Sequence, residues 1–130
     1  MALNILIVDD SRAARAAIAS SLQTANVPVR RLHHAANGAE ALKILVSNPV
    51  DLVFADTDMP VMGGLEMVER MSRDDHLWSI PTVIVSAGAG DGLAEQLKGK
   101  AVRACLQKSL NPEAIRAVVD EVMGVPEANG

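Results

Sequence analysis

Residues 51–56 read Asp-Leu-Val-Phe-Ala-Asp, and residues 57–64 continue as Thr-Asp-Met-Pro-Val-Met-Gly-Gly. The run 52–55 is apolar throughout and ends abruptly in the carboxylate of Asp56. Such a run is typical of a strand buried on both faces of a parallel sheet, and open α/β sheets place their sites at the carboxyl ends of these strands. Strand-end aspartates more often cap a turn or helix, but the rest of the chain favours a functional role for Asp56.

Composition limits the kinds of protein that this chain can be. With 130 residues, 49% hydrophobic and 22% charged, it is predicted to form one globular domain over residues 1–124, with a flexible tail at 125–130. A net charge of -4 indicates no direct nucleic-acid binding, and the single cysteine, Cys105, excludes an internal disulfide or a cysteine-based zinc site. No leader or membrane-spanning stretch is recognised, so we expect a soluble cytoplasmic protein without membrane contact.

Short apolar runs alternate with segments of helical periodicity along the chain. Asn37 with Glu40 three residues later indicates a capping box at the second helix, and Pro112 is suited to the first position of the last helix. The predicted strands are 4–8, 29–35, 52–56, 102–107, and a strand within 79–85 that starts at Pro81. The predicted helices are 12–25, 38–47, 64–73, a short one at 93–98, and 112–123. This alternation predicts an α/β fold: a five-stranded parallel sheet, order 2-1-3-4-5, doubly wound with five helices.

Four of the predicted strands end in polar or charged side chains. Asp9 and Asp10 follow the first strand, and the third, fourth and fifth strands are followed or ended by Asp56, Ser86 and Lys108. In the order 2-1-3-4-5 these ends meet near the point where the sheet reverses direction. We therefore expect one site that contains all of them.

This set of side chains suits a magnesium-dependent phosphoryl site. Clustered carboxylates repel one another unless a cation intervenes, and their hard oxygens suit Mg²⁺ with open positions for water or phosphate. Lys108 supplies a positive charge and Ser86 a hydroxyl donor for phosphate oxygens. Asp56 is already ionised at neutral pH and is the candidate nucleophile.

The sequence resembles the receiver domain of two-component response regulators, in particular the stand-alone, chemotaxis-regulator-like type with a flavodoxin-like fold. The resemblance spans nearly the whole chain. It depends on Val-Asp-Asp-Ser at 8–11, Asp-x-Asp-Met-Pro-x-Met-x-Gly at 56–64, Ser-Ala at 86–87 after an apolar strand, and Lys108 after another. These four motifs in this order are highly specific.

The resemblance implies a role for each matching residue. Asp56 accepts a phosphoryl group from a histidine kinase or phosphotransfer protein, and the output is binding to a downstream protein target. Mg²⁺ is held by Asp10, Asp56 and the backbone carbonyl of Asp58, with Asp9 acting through water. Ser86 follows the phosphoryl group, and Lys108 pairs with it. The only turnover implied is the phosphorylation and dephosphorylation of the chain itself, so it is not expected to be an enzyme.

Three features depart from the family pattern. Cys105 stands where the family usually has the aromatic switch residue, so the signal would have to travel by backbone or loop movement. Ser109 stands where a cis proline usually follows the lysine, and a non-proline cis bond costs roughly 3 kcal/mol, so we expect a trans peptide or a strained loop. The segment 87–92 is rich in glycine, which favours a mobile loop.

Two alternatives remain open. The departures allow a degenerate receiver that binds partners without phosphorylation, although the complete acidic set argues against it. The motif Asp-Thr-Asp at 56–58 is also similar to that of haloacid-dehalogenase-like phosphohydrolases. That family normally has Thr or Val where Pro60 stands and places an acidic pair after the lysine, where this chain has only Asp120 and Glu121 within an amphipathic helix.

Overall fold

A computed structural model describes residues 2–86, 102–108 and 110–124. In these ranges five parallel strands form one sheet in the order β2-β1-β3-β4-β5, which confirms the predicted topology. The strands are β1 Leu3–Val8, β2 Val29–Ala35, β3 Leu52–Asp56, β4 Thr82–Ser86 and β5 Val102–Gln107; the helices are α1 Arg12–Thr24, α2 Gly38–Ser47, α3 Gly64–Ser72 and α4 Pro112–Met123. The predicted helix at 93–98, the glycine-rich segment 87–92 and Ser109 lie outside the described residues.

The sheet separates two apolar cores. Leu6 and Val8 of β1 belong to the core shared with α2 and α3, whereas Ile5 and Ile7 belong to the core shared with α1 and α4. This division follows from the alternation of side chains along a strand. Because both faces are covered, all six residues of β1 and all five of β3 are buried, and the central strands form a rigid base for the residues at their tips.

Polar side chains cap the N-termini of α1, α2 and α4. The Asn37 side chain accepts from the Glu40 amide at 2.9 Å, and the Glu40 carboxylate accepts from the Ala36 amide at 2.9 Å, which confirms the capping box. Ser11 caps α1, and Asn111 caps α4. These contacts satisfy amide groups that have no partner within their own helices.

The fourth strand begins one residue after the predicted start. The sequence placed that start at Pro81, and β4 starts at Thr82 after residues 74–80 have formed successive turns, with the Ile80 amide donating to the Leu77 carbonyl at 3.0 Å. Pro81 has no amide hydrogen to donate to the ladder, although its carbonyl accepts from the Val53 amide at 3.0 Å.

Among the described helices, none combines the length and apolar character needed to cross a membrane.

Candidate functional site

The predicted polar residues lie at one edge of the sheet. Val8 of β1 is in register with Ala55 of β3, so the residues that follow them, Asp9 and Asp56, stand at neighbouring strand tips. In the same direction, β4 ends at Ser86, which is in register with Gln107 of β5. The parallel direction of the strands thus gathers these carboxyl ends on one side of the molecule.

Three carboxylates form the acidic part of the site. Asp9, Asp10 and Asp56 each offer an oxygen, and these oxygens lie within 4.8 Å of one another. Asp9 and Asp56 are 1% and 6% exposed, whereas Asp10 is exposed to solvent. Burial raises the pKa of Asp56 above its usual value, and the negative charge of Asp9 adds to that rise.

Lys108 supplies the positive charge of the site. Its Nζ lies 3.1 Å from Asp9 Oδ2 and 3.4 Å from Asp56 Oδ1, so one ammonium group spans both buried carboxylates. Burial favours the neutral amine, but hydrogen bonding to Asp9 and the charges of both carboxylates outweigh it and raise the pKa of Lys108. The backbone also holds this residue, since its amide donates to the Ser86 carbonyl at 2.8 Å.

Short-range hydrogen bonds orient the two buried carboxylates. The Thr57 amide donates to Asp56 Oδ1 at 2.9 Å, and the Ser11 amide donates to Asp9 Oδ1 at 2.9 Å. The Arg15 guanidinium donates to the backbone carbonyl of Asp9. Each acid is therefore held by the chain that directly follows its strand, and α1 is attached to the site through Ser11 and Arg15.

The loop after Asp56 folds back tightly onto the strand tip. The Gly64 amide donates to the Thr57 carbonyl at 3.1 Å. A Cβ atom on Gly64 would lie 2.2 Å from the Asp56 backbone oxygen, and one on Gly63 would lie 2.6 Å from the Thr57 oxygen. Only glycine permits these approaches, so the two glycines are needed to bring α3 close to the site.

The same loop is tied to α2. The Gly38 amide donates to the Met62 carbonyl at 2.8 Å, and a Cβ on Gly38 would lie 2.9 Å from the Met62 side chain. Val61 has a φ of 69°, and across it the Met62 amide donates to the Pro60 carbonyl at 2.7 Å. Sequence analysis missed the Gly38 contact and the left-handed Val61, because neither residue type signals them, and it also missed Arg15.

The remaining predicted residues surround this cluster or lie apart from it. Asp58 is exposed in the loop, and Ser86 is buried at the end of β4. Cys105 is half-buried on β5, in register with Ile84, and packs against the core shared with α2 and α3. Burial raises the pKa of its thiol. The described contacts therefore place Cys105 in the packing beneath the site and outside the group of charged residues.

The donor set fits a hard divalent cation. Three carboxylates with all-oxygen ligand atoms close together are the kind of ligand that Mg²⁺ takes, and Asp10 leaves one side open to solvent. Such a pocket, with a lysine at its inner side, can accommodate a cation and a phosphoryl group together.

Comparison with known proteins agrees with this geometry. The chain is 26% identical over 134 residues to a chemotaxis protein CheY homolog of Campylobacter jejuni, covering 98% of each chain. It is 30% identical over 121 residues to the sensor histidine kinase TmoS of Ectopseudomonas mendocina, of whose length it spans only 12%. The structure of the chemotaxis response regulator CheY4 of Vibrio cholerae matches with a TM-score of 0.81 at 26% identity, over 94% of this chain and 99% of that one.

The family model described as response regulator receiver domain matches residues 5–120, which include every residue of the site. Receiver domains of CheY-like response regulators act in signalling as phosphoacceptors. The chain belongs to the response regulator receiver domain family.

Proposed function

We propose that Asp56 is the phosphoacceptor and that it receives its phosphoryl group from a phosphohistidine of a histidine kinase or phosphotransfer protein. The observation that carries this proposal is the position of Asp56: a buried carboxylate at the tip of β3, with Asp9, Asp10 and Lys108 around it. An Asp56 oxygen attacks phosphorus, an acyl phosphate bond forms, and the phosphorus–nitrogen bond to the donor breaks. The donor imidazole leaves with the bonding electron pair and is then protonated by solvent.

Mg²⁺, when bound, would offset the repulsion between the carboxylates and the incoming phosphoryl oxygens. We propose that Asp10, Asp56 and the backbone carbonyl of Asp58 hold it directly, with Asp9 acting through water. Burial and, after it, the negative charge of Asp9 raise the pKa of Asp56, so its ionised form is unfavourable in this pocket and a bound cation would stabilise it. We therefore expect phosphorylation to require a cation.

Lys108 and Ser86 would receive the transferred group. Lys108 Nζ already lies 3.4 Å from Asp56 Oδ1, so a small displacement brings it to a phosphoryl oxygen on the same carboxylate. The Ser86 hydroxyl would donate to another phosphoryl oxygen from the end of β4. A change at Ser86 would then pass into the segment that follows it, and the output would be altered binding to a downstream protein target.

The proposal is tested by intact-mass spectrometry after incubation with acetyl phosphate and Mg²⁺. We expect one phosphoryl adduct on the wild type, its loss with EDTA, and its loss in Asp56→Asn. Asp75→Asn, which changes an exposed aspartate outside the site, is the matched control and keeps the adduct.

Three other outcomes would contradict the proposal. An adduct that persists in Asp56→Asn would place the acceptor elsewhere. The absence of any adduct, together with no response of the Trp78 fluorescence to beryllofluoride, would favour the phosphorylation-independent binding module. That module remains a candidate because Cys105 stands in place of the usual aromatic residue. Repeated release of phosphate from an unrelated phosphoester would instead support a phosphohydrolase.

A further inference from the structure

Positive charge is concentrated in one part of this acidic chain. Between Ser11 and Ala39 there is no aspartate or glutamate, although the whole chain has 16. The same stretch contains Arg12 and Arg15 in α1, and Arg30 and Arg31 in β2. This stretch forms α1 and β2, which lie side by side, so one side of the molecule is basic although the net charge of the chain is -4.

An apolar groove runs between these two elements. Ala16 and Ala19 of α1 line one wall, and Val29, Leu32 and His34 of β2 line the other. The short alanine side chains on the helix leave room for a side chain from outside. The groove thus offers an apolar contact along an element that carries positive charge.

A bulge in β2 shapes both the groove and its rim. Leu3 of β1 is in register with Val29, but the next residue, Asn4, is in register with Arg31, so Arg30 is an extra residue in β2. Strict alternation would place Val29 and Leu32 on opposite faces of the sheet, yet both line the groove. The bulge therefore turns Val29 into the groove and leaves Arg30 and Arg31 as consecutive exposed cations.

The basic residues extend along the groove. Arg15 lies near His34. Burial lowers the pKa of this histidine most, and the positive charge of Arg15 lowers it further. Arg12 precedes Ala16 by one helical turn and so shares its face of α1. Within the described ranges no carboxylate forms an ion pair with Arg12, Arg30 or Arg31.

β2 is also an edge strand. In the described sheet it pairs with β1 alone, so the backbone groups along its outer side are available to another strand. We propose that this edge and groove bind an extended acidic segment of a partner protein, with its apolar side chains in the groove and its carboxylates on the arginines. Strand addition of this kind takes affinity from backbone hydrogen bonds and specificity from side-chain pockets.

Edge arginines can also serve only to discourage unwanted strand pairing. The two explanations differ in how they respond to charge reversal. Glutamates at the same positions would discourage edge pairing equally well, but they would repel an acidic segment. Arg30→Glu/Arg31→Glu therefore separates docking from simple protection of the edge.

The test selects short displayed random peptides on the whole chain and measures the affinity of the selected peptides by fluorescence anisotropy. We expect acidic peptides with interspersed apolar residues, and we expect the double reversal to weaken their binding by about tenfold or more. Binding should also weaken as salt is added. Amide resonances that shift on binding should belong to β2 and α1.

Lys43→Glu/Arg103→Glu is the matched control, because it makes the same change in net charge at exposed positions away from the groove. It should leave the affinity unchanged, and Arg30→Gln/Arg31→Gln should weaken binding less than the reversal does. The proposal is overturned if the selected peptides are not acidic, if both double reversals act alike, or if the shifted resonances lie elsewhere. Tighter binding of phosphatidylserine vesicles or duplex DNA than of the peptides would also overturn it.

Discussion

Replacing Gly64 with alanine tests how the chain positions its phosphoacceptor. The new Cβ would lie 2.2 Å from the backbone oxygen of Asp56. Cβ atoms in proteins essentially never approach another heavy atom more closely than 3.0 Å. Since that oxygen belongs to the last residue of a buried strand, neither partner can yield by rotating a side chain. The start of α3 and the tip of β3 must separate by about 1 Å.

Two physical effects predict opposite changes in stability for this substitution. Helix propensity alone would make Gly64→Ala stabilising by about 0.5–1 kcal/mol. Overpacking against a rigid backbone costs about 1–3 kcal/mol, so we expect a net loss of stability. A displacement of about 1 Å at a reacting carboxylate lowers a rate by about a hundredfold, so phosphorylation by acetyl phosphate should slow to that degree.

Urea denaturation and the rate of adduct formation measure the two effects separately. Gly124→Ala is the control: Gly124 has a φ of 62° at the end of α4, and an added Cβ there meets nothing within 4 Å. It should lose about 1–2 kcal/mol through backbone conformation alone and keep the wild-type phosphorylation rate. A Gly64→Ala protein that is more stable than wild type, or that phosphorylates normally, would refute the reasoning.

Two further predictions concern the charges of the site. In EDTA, Asp56→Asn should be more stable than wild type at neutral pH, because the raised pKa of Asp56 means that its charged form destabilises the folded state. As the pH falls through the pKa of the folded state toward 3.8, the wild type should gain stability relative to the variant. Urea midpoints measured across this pH range test the prediction, and a difference that stays constant with pH would contradict it. In EDTA, Lys108→Ala should lower the free energy of unfolding by about 1–3 kcal/mol, because it leaves Asp9 without its cationic partner. Added Mg²⁺ should restore part of this stability. Equal losses of stability with and without Mg²⁺ would show that the lysine charge does not matter.

Much of the fold follows from local patterns. The apolar run 52–55 indicated a strand buried on both faces, which β3 is, and the capping pair Asn37 and Glu40 places the start of α2 correctly. Pro81 indicates the start of β4 to within one residue, but no local pattern predicted that residues 74–80 form successive turns. Local sequence thus located the helices and strands better than the turns between them.

The acidic cluster was also predictable in outline. Polar residues directly after buried strands must meet at one edge once the strand order is 2-1-3-4-5, and the structure brings Asp9, Asp10 and Asp56 within 4.8 Å with Lys108 between two of them. Strand order is a global property, but the alternation of strands and helices restricts it to few choices. The residues of the cluster therefore did not require coordinates.

By itself the sequence determined where most strands and helices lie and which charged groups stand at the strand tips, because these depend on periodicity and on neighbours along the chain. Only the tertiary structure decided that the Gly38 amide donates to the Met62 carbonyl and that Arg15 donates to the Asp9 carbonyl. It also decided that a bulge places Val29 and Leu32 in one groove. These features join segments that are distant in sequence, or shift register by one residue. Their geometry depends on how whole elements pack, which no local pattern encodes.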